Sequence, residues 1–146
     1  MKKIRTFFSL NWKTKMLLLE AFICLGWARL LKGLPFAKIA PSLGKNMDET
    51  AYTEDSKYLG IIKDVSAAIR IMSPHTFWES QCLVKAIAGQ KLLARRHIDS
   101  TLYLGTAKDK NGELIAHAWL RSGSFYVSGS EGMEKFTVVA KFAKVV

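Results

Sequence analysis

Thr101–Lys108, TLYLGTAK, Glu113–Leu120, ELIAHAWL, Phe125–Gly129, FYVSG, and Lys135–Phe142, KFTVVAKF, are four short runs rich in β-branched and aromatic residues. Lys110-Asn111-Gly112 and Arg121-Ser122-Gly123 separate the first three and read as hairpin turns, so the strands are expected to pair antiparallel. The segment before them, Pro74–Arg96, has helical spacing. Phe77, Gln81, Val84, Ala88 and Leu92 share one side, and Trp78, Cys82, Ala86, Gly89 and Leu93 share the adjoining one. A helix followed by an antiparallel sheet is an α+β arrangement. The helix has two plausible starts. Ser73 can cap it with Pro74 in the first turn, which leaves Cys82 about two turns inside; a break near Glu79-Ser80, with Ser80 as the cap, brings Cys82 close to the N-terminus.

Working outward, the chain has 146 residues, 49% hydrophobic and 23% charged, the length and balance of one globular domain. Only Cys24 and Cys82 are cysteines, which excludes a disulfide framework and a CxxC zinc site. No metal or cofactor is expected. Residues 1–45 hold nine basic residues and one acid, Glu20, for a charge of +8, whereas residues 46–146 hold 13 basic and 11 acidic residues, for +2. The chain therefore divides into a basic helical segment, 1–45, and a nearly neutral core, 46–146. Lys2, Lys3, Arg5, Lys13 and Lys15 lead the basic segment. Nucleic acid is not expected, because no helix-turn-helix or basic aromatic strand accompanies the charge.

Met16–Leu31, MLLLEAFICLGWARLL, is the most apolar stretch, but Glu20 and Arg29 make it too short to span a bilayer, and no cleavage-site pattern follows it. A cytoplasmic location is expected. Apolar residues at 18, 19, 22, 23, 25, 27 and 30 predict an amphipathic helix. Its apolar face has three partners open to it: the core, another protein, or an anionic membrane surface, with packing inside the protein or a complex favoured over lipid. Leu34-Pro35 and Ala40-Pro41 punctuate the chain. Asn46–Lys57 is a polar, acidic linker or helix start, and Leu59, Ile62, Val65, Ile69 and Met72 predict a second helix over Tyr58–Met72.

Three histidines compete for a chemical role. His75 lies in a first helical turn and His97 near a helix end, where a cation suits the dipole. His117 lies inside a strand whose alternation puts Ile115, His117 and Trp119 on one face and Leu114, Ala116, Ala118 and Leu120 on the other. An imidazole there is either a satisfied core group or the partner of a nucleophile. Cys82 is likewise either a small buried hydrophobe or that nucleophile; thiolates are favoured beside imidazoles and helix N-termini.

Trp78-x-x-x-Cys82-Leu83-x-x-Ala86-x-Ala88, Leu92-Leu93-x-Arg95-Arg96, His117-Ala118-Trp119 and Phe136-Thr137-Val138-Val139, in this order and length, resemble the B2 proteins of lasso-peptide biosynthesis. The basic, Leu-rich N-terminal segment ending in LPFAKIAPSLG is similar to theirs as well. The resemblance implies a transglutaminase/papain-like core, with a catalytic Cys on a helix packed on an antiparallel sheet, preceded by a helical N-terminal segment. It also implies a cysteine peptidase that removes the leader from a ribosomally made precursor peptide. A separate B1-type leader-recognition protein and the ATP-dependent lasso cyclase would be its partners. Cys82 would be the nucleophile and His117 the general base. The family's third member is usually an Asp on the strand after the His. Here that stretch reads Val127-Ser128-Gly129-Ser130-Glu131, so Glu131 is the nearest carboxylate, with Ser128 or a backbone carbonyl as alternatives. Trp78 and Trp119 would wall the site or pack the core, and Arg95 and Arg96 would meet acidic groups on the leader or partner, or the helix C-terminus. Two other readings compete: a non-catalytic scaffold docking maturation partners or membrane through the basic segment, and a Cys-His acyltransferase.

Overall fold

The computed structural model describes residues 11–52, 56–76 and 81–146. Helix α1 (Trp12–Lys32) is capped by Asn11, whose side chain accepts from the Thr14 N–H at 2.8 Å. A short helix α2 (Phe36–Leu43) and a two-residue strand β1 (Lys45–Asn46) lead to α3 (Ser56–Met72). One 3-10 turn, Ser73–His75, follows, then α4 (Cys82–Arg95). The strands β2 (Ser100–Lys108), β3 (Leu114–Ser122), β4 (Phe125–Ser128) and β5 (Thr137–Lys144) complete an antiparallel sheet in the order β1-β5-β2-β3-β4. The expected α+β class and the four main strands are present.

The layers follow from which faces are apolar. Leu102, Ala118, Leu120, Val127 and Phe142 form the sheet face that meets α3 and α4, and α1 covers those two helices with Leu18, Ala21, Cys24, Leu25 and Ala28. The apolar residues of α1 do not form one stripe. Leu18 and Leu25 are buried, whereas Leu19, Ile23, Trp27 and Leu30 are exposed on the other side. Successive helical side chains are about 100° apart, so residues 18 and 19 cannot both face the core. Arg96 caps α4 through Leu92 O at 3.0 Å and forks onto Glu20 of α1 at 2.8 and 2.9 Å, which lowers the Glu20 carboxyl pKa.

Three local expectations need correction. Ser73-Pro74 starts only the 3-10 turn, and the helix bearing Cys82 begins after Gln81, whose backbone is extended. Trp78, Glu79 and Ser80 lie outside the described residues. Pro41 does not stop α2: the buried anchors Ile39 and Leu43 bracket it, and the carbonyl it cannot serve, on Ala37, belongs to an exposed residue. Arg121 and Ser122 belong to β3, and the second hairpin turns at Gly123-Ser124 instead, with Gly123 at φ 59°.

Burial explains why Arg121 stays in the strand. Its side chain is wholly buried, and its guanidinium donates to five acceptors: Tyr103 Oη (2.9 Å), Ala51 O (3.0 Å), Gly123 O (2.7 Å), Thr50 O (2.9 Å) and Thr101 Oγ1 (3.4 Å). The Tyr52 ring lies 3.6 Å from it, and the Glu49 carboxylate is 3.6 Å away. Glu49 also accepts from Lys141 Nζ (2.8 Å), Tyr52 Oη (2.6 Å) and Tyr103 Oη. The acidic stretch after Asn46 is thus bound to the sheet through Glu49–Tyr52.

Removing the guanidinium takes the donor from the carbonyls of Thr50, Ala51 and Gly123, so Arg121→Met should lower the urea-unfolding free energy by about 3–5 kcal/mol. Arg121→Lys should recover little of it, since an ammonium cannot reach five spread acceptors. The Lys141 ammonium, then the Tyr103 and Tyr52 hydroxyls, hold the Glu49 carboxyl down at about 2. A depressed pKa stabilises fully above the unfolded value of about 4.3, and that contribution is lost as pH falls toward about 2. The stability difference between wild type and Glu49→Gln should therefore shrink on acidification through this window.

Candidate active site

Cys82 is the first residue of α4, half-buried and free of any disulfide. Lys85 N–H closes the first turn onto Gln81 O at 2.9 Å. The thiol therefore sits at the positive end of the helix dipole. Of the two starts open to the sequence, the later one is realised, one residue beyond Ser80.

The connection from α4 to the sheet sets the height of this thiol. Only residues 96–99 link Arg95 to Ser100, and Ile98 N–H turns back onto Leu93 O at 3.0 Å, so α4 runs back against β2 and alongside β3. Gly89 marks the contact: a Cβ there would come 2.9 Å from Leu120 Cδ2. Back from that contact, about 10 Å of helix leads to Cys82 and about 10 Å of strand leads to His117. Both residues thus lie in the same direction from that contact along the sheet.

The His117 ring is held on three sides. Its Nε2 lies 2.6 Å from Gly129 O, Phe136 is 5.1 Å away between ring centroids, and Trp119 is 5.7 Å away. A carbonyl only accepts, so Nε2 carries the proton of the neutral ring and Nδ1 keeps the lone pair. Two glycines make this arrangement fit. Gly129 has φ 73°, and a Cβ there would come 2.4 Å from Ala118 O. Gly105 pairs with His117 across β2, and a Cβ there would come 2.8 Å from the Trp119 ring. Trp119 also stacks on Tyr103 at 5.6 Å and 13°.

Strand alternation puts His117, Trp119 and Tyr103 on the sheet face opposite Ala118 and Leu120, the face that carries α4. No hydrogen bond joins Cys82 to His117. β4 pairs with β3 only as far as Leu120↔Ser128, so His117 lies three residues past the last paired rung, at the rim of the sheet. Glu131 is exposed in the turn after Gly129 and forms no hydrogen bond or ion pair with a described residue. Ser128 Oγ is buried without a hydrogen-bond partner and does not reach the imidazole. Of the three alternatives for orienting His117, the backbone carbonyl is the one in contact.

The other singled-out residues have different surroundings. His75 lies in the 3-10 turn and His97 at the end of α4 with φ 59°. Cys24 is buried in the core, and burial pushes its thiol pKa up. Among the described residues, no three His, Cys, Asp or Glu side chains gather as metal ligands. Gly129 and Gly105 are not readable as site residues; their sequence signals are the Ser128-Gly129-Ser130 break in the β pattern and, for Phe136 beside them, the Phe136-Thr137-Val138-Val139 motif.

No curated protein and no solved structure matches the chain. The family model of the transglutaminase-like superfamily matches residues 21–141, which runs from the middle of α1 into β5 and takes in both Cys82 and His117. Members of that superfamily are in general cysteine-based enzymes, peptidases and transferases among them. With a free cysteine opening a helix, a histidine on the sheet behind it and this match over most of its length, the chain belongs to the transglutaminase-like superfamily.

Proposed function

We propose that this protein is a cysteine peptidase that removes the leader from a lasso-peptide precursor. The Cys82 thiolate attacks the carbonyl at the leader–core junction, and His117 Nδ1 takes the thiol proton and passes it to the leaving amine. Water then hydrolyses the thioester. Backbone N–H groups in the first turn of α4 would stabilise the developing oxyanion. The observation that supports this reading is a free thiol at the first position of α4, in a fold whose His117 ring sets its Nε2 against Gly129 O and leaves Nδ1 for a second partner.

The approach runs round the rim, where β4 has ended. Catalytic contacts are often long in the free enzyme and tighten with substrate. The orienting group is the Gly129 carbonyl, and Glu131 is left without a role. A carbonyl fixes the tautomer as a carboxylate would, but its partial charge stabilises an imidazolium less. The lasso assignment rests on the motifs around Cys82, His117 and Phe136 and on the basic N-terminal segment; the leader-recognition protein and the cyclase are separate chains.

Precursor peptide incubated with the protein and its recognition partner should be cut at one junction, read by mass spectrometry. Cys82→Ala and His117→Ala should each lower the rate by about a thousandfold or more while partner binding survives. Equal cleavage by Cys82→Ala would overturn the assignment, and an amine adduct in place of the hydrolysed product would make the enzyme an acyltransferase.

Gly129→Ala forces a side chain into a left-handed position and moves the carbonyl, so it should cost at least about 1–2 kcal/mol of stability. It should also lower kcat and raise the Nδ1–H tautomer of His117 in its ring nitrogen NMR shifts. Glu131→Gln should change neither readout.

A further inference from the structure

We propose that the outer face of α1 docks the protein flat on an anionic lipid surface. Trp12, Met16, Leu19, Ile23, Trp27 and Leu30 recur every three or four residues along α1, and all six are exposed. Trp12, Ile23 and Leu30 keep 73%, 67% and 76% of their surface. The opposite face of the same helix is the one packed on α3 and α4, so this stripe is additional to the core and no described residue covers it. Leu34 and Phe36, just past the helix, are exposed as well. The helix is about 31 Å long, and an unbroken apolar line of that length is a large patch for one small domain.

Charge decides the occupant. The first 45 residues carry +8. Lys13 borders the stripe on α1, and Lys91 and Arg95 border it from α4, with Lys91 Nζ 5.2 Å from the Trp27 ring centroid. Glu20, the one acid on α1, is held by Arg96 at 2.8 Å. A second copy would bring the same cations against these and is disfavoured by repulsion. An anionic bilayer matches both features: the apolar side chains enter the acyl boundary, the indoles near the two ends of the helix take the headgroup level, and the lysines snorkel to phosphate. No described helix is long and apolar enough to cross a membrane, so α1 lies in the interface. The sheet face with His117 is separated from α1 by the layer of α3 and α4 and by the sheet itself, and stays turned to solution.

Flotation of the full-length protein with vesicles tests this, using phosphatidylcholine alone and phosphatidylcholine mixed with phosphatidylglycerol, at low and high salt. Wild type should float with the anionic vesicles only, and less at high salt. The double variant Ile23→Asp/Leu30→Asp, at exposed positions, should keep its circular dichroism and lose roughly tenfold or more in partitioning. Lys13→Gln and Lys91→Gln should each lose about fivefold. The proposal falls if wild type ignores the anionic vesicles. It falls equally if the aspartate variant floats as well as wild type, since the basic arm alone would then bind. Should wild type ignore vesicles and form a concentration-dependent dimer that Ile23→Asp breaks, the face belongs to a second copy.

Discussion

A guanidinium removed from water has to recover its hydration from the protein, and Arg121 does so with five acceptors drawn from three separate stretches of chain. That requirement organises the non-helical face of the sheet. It holds the Glu49–Tyr52 segment against β2, closes the β3–β4 turn through Gly123 O, and fixes the Tyr103 hydroxyl between a cation and the Glu49 carboxylate. Burial, then the bond to Glu49, keeps that phenol protonated far above its usual range. Tyr103 in turn stacks on Trp119, and Trp119 flanks the His117 ring. The imidazole is therefore the last member of a row of side chains whose positions begin at a buried charge.

At the other end of that row, a backbone carbonyl meets the imidazole. Gly129 can bring its carbonyl to Nε2 only because it lacks a Cβ and takes φ 73°, and Gly105 leaves the space that the Trp119 ring fills. The tautomer is thus set by chain geometry. A neutral acceptor stabilises an imidazolium less than an ion pair would, so the proposed mechanism places more of the barrier on the helix N-terminus and on substrate positioning.

Much of this was legible in residue order. Alternation in ELIAHAWL put His117 and Trp119 on one face, and the spacing of Ile62, Val65 and Ile69 placed α3, because both signals are local and periodic. The start of α4 was not legible. Ser73-Pro74 is a strong cap signal, yet the chain uses it for a single 3-10 turn, and Gln81 begins the helix without a side-chain cap. Arg121 was misread for a related reason. Arg-Ser-Gly has the composition of a turn, and only distant residues, Thr50, Ala51 and Tyr103, give a buried arginine its partners. Glu131 drew attention as a carboxylate, while a carbonyl, which every residue owns, leaves no mark in a sequence.

The two apolar faces of α1 carry the same lesson into function. A helix apolar on one side is satisfied by one neighbour, but α1 has Leu18, Ala21, Cys24, Leu25 and Ala28 against α3 and α4 and a second line of large side chains facing outward. Core packing accounts for the first set and cannot account for the second. Stability alone would favour lysine or glutamate at positions such as 19, 23 and 30, where burial in this fold gains nothing and exposed leucine and isoleucine invite aggregation. The surplus of cations in the same 45 residues gives those side chains a setting in which both features are satisfied together. The layering puts the outward line on α1 and the His117 face on opposite sides of the molecule, so the proposed lipid contact and the proposed peptide site would not compete for one surface.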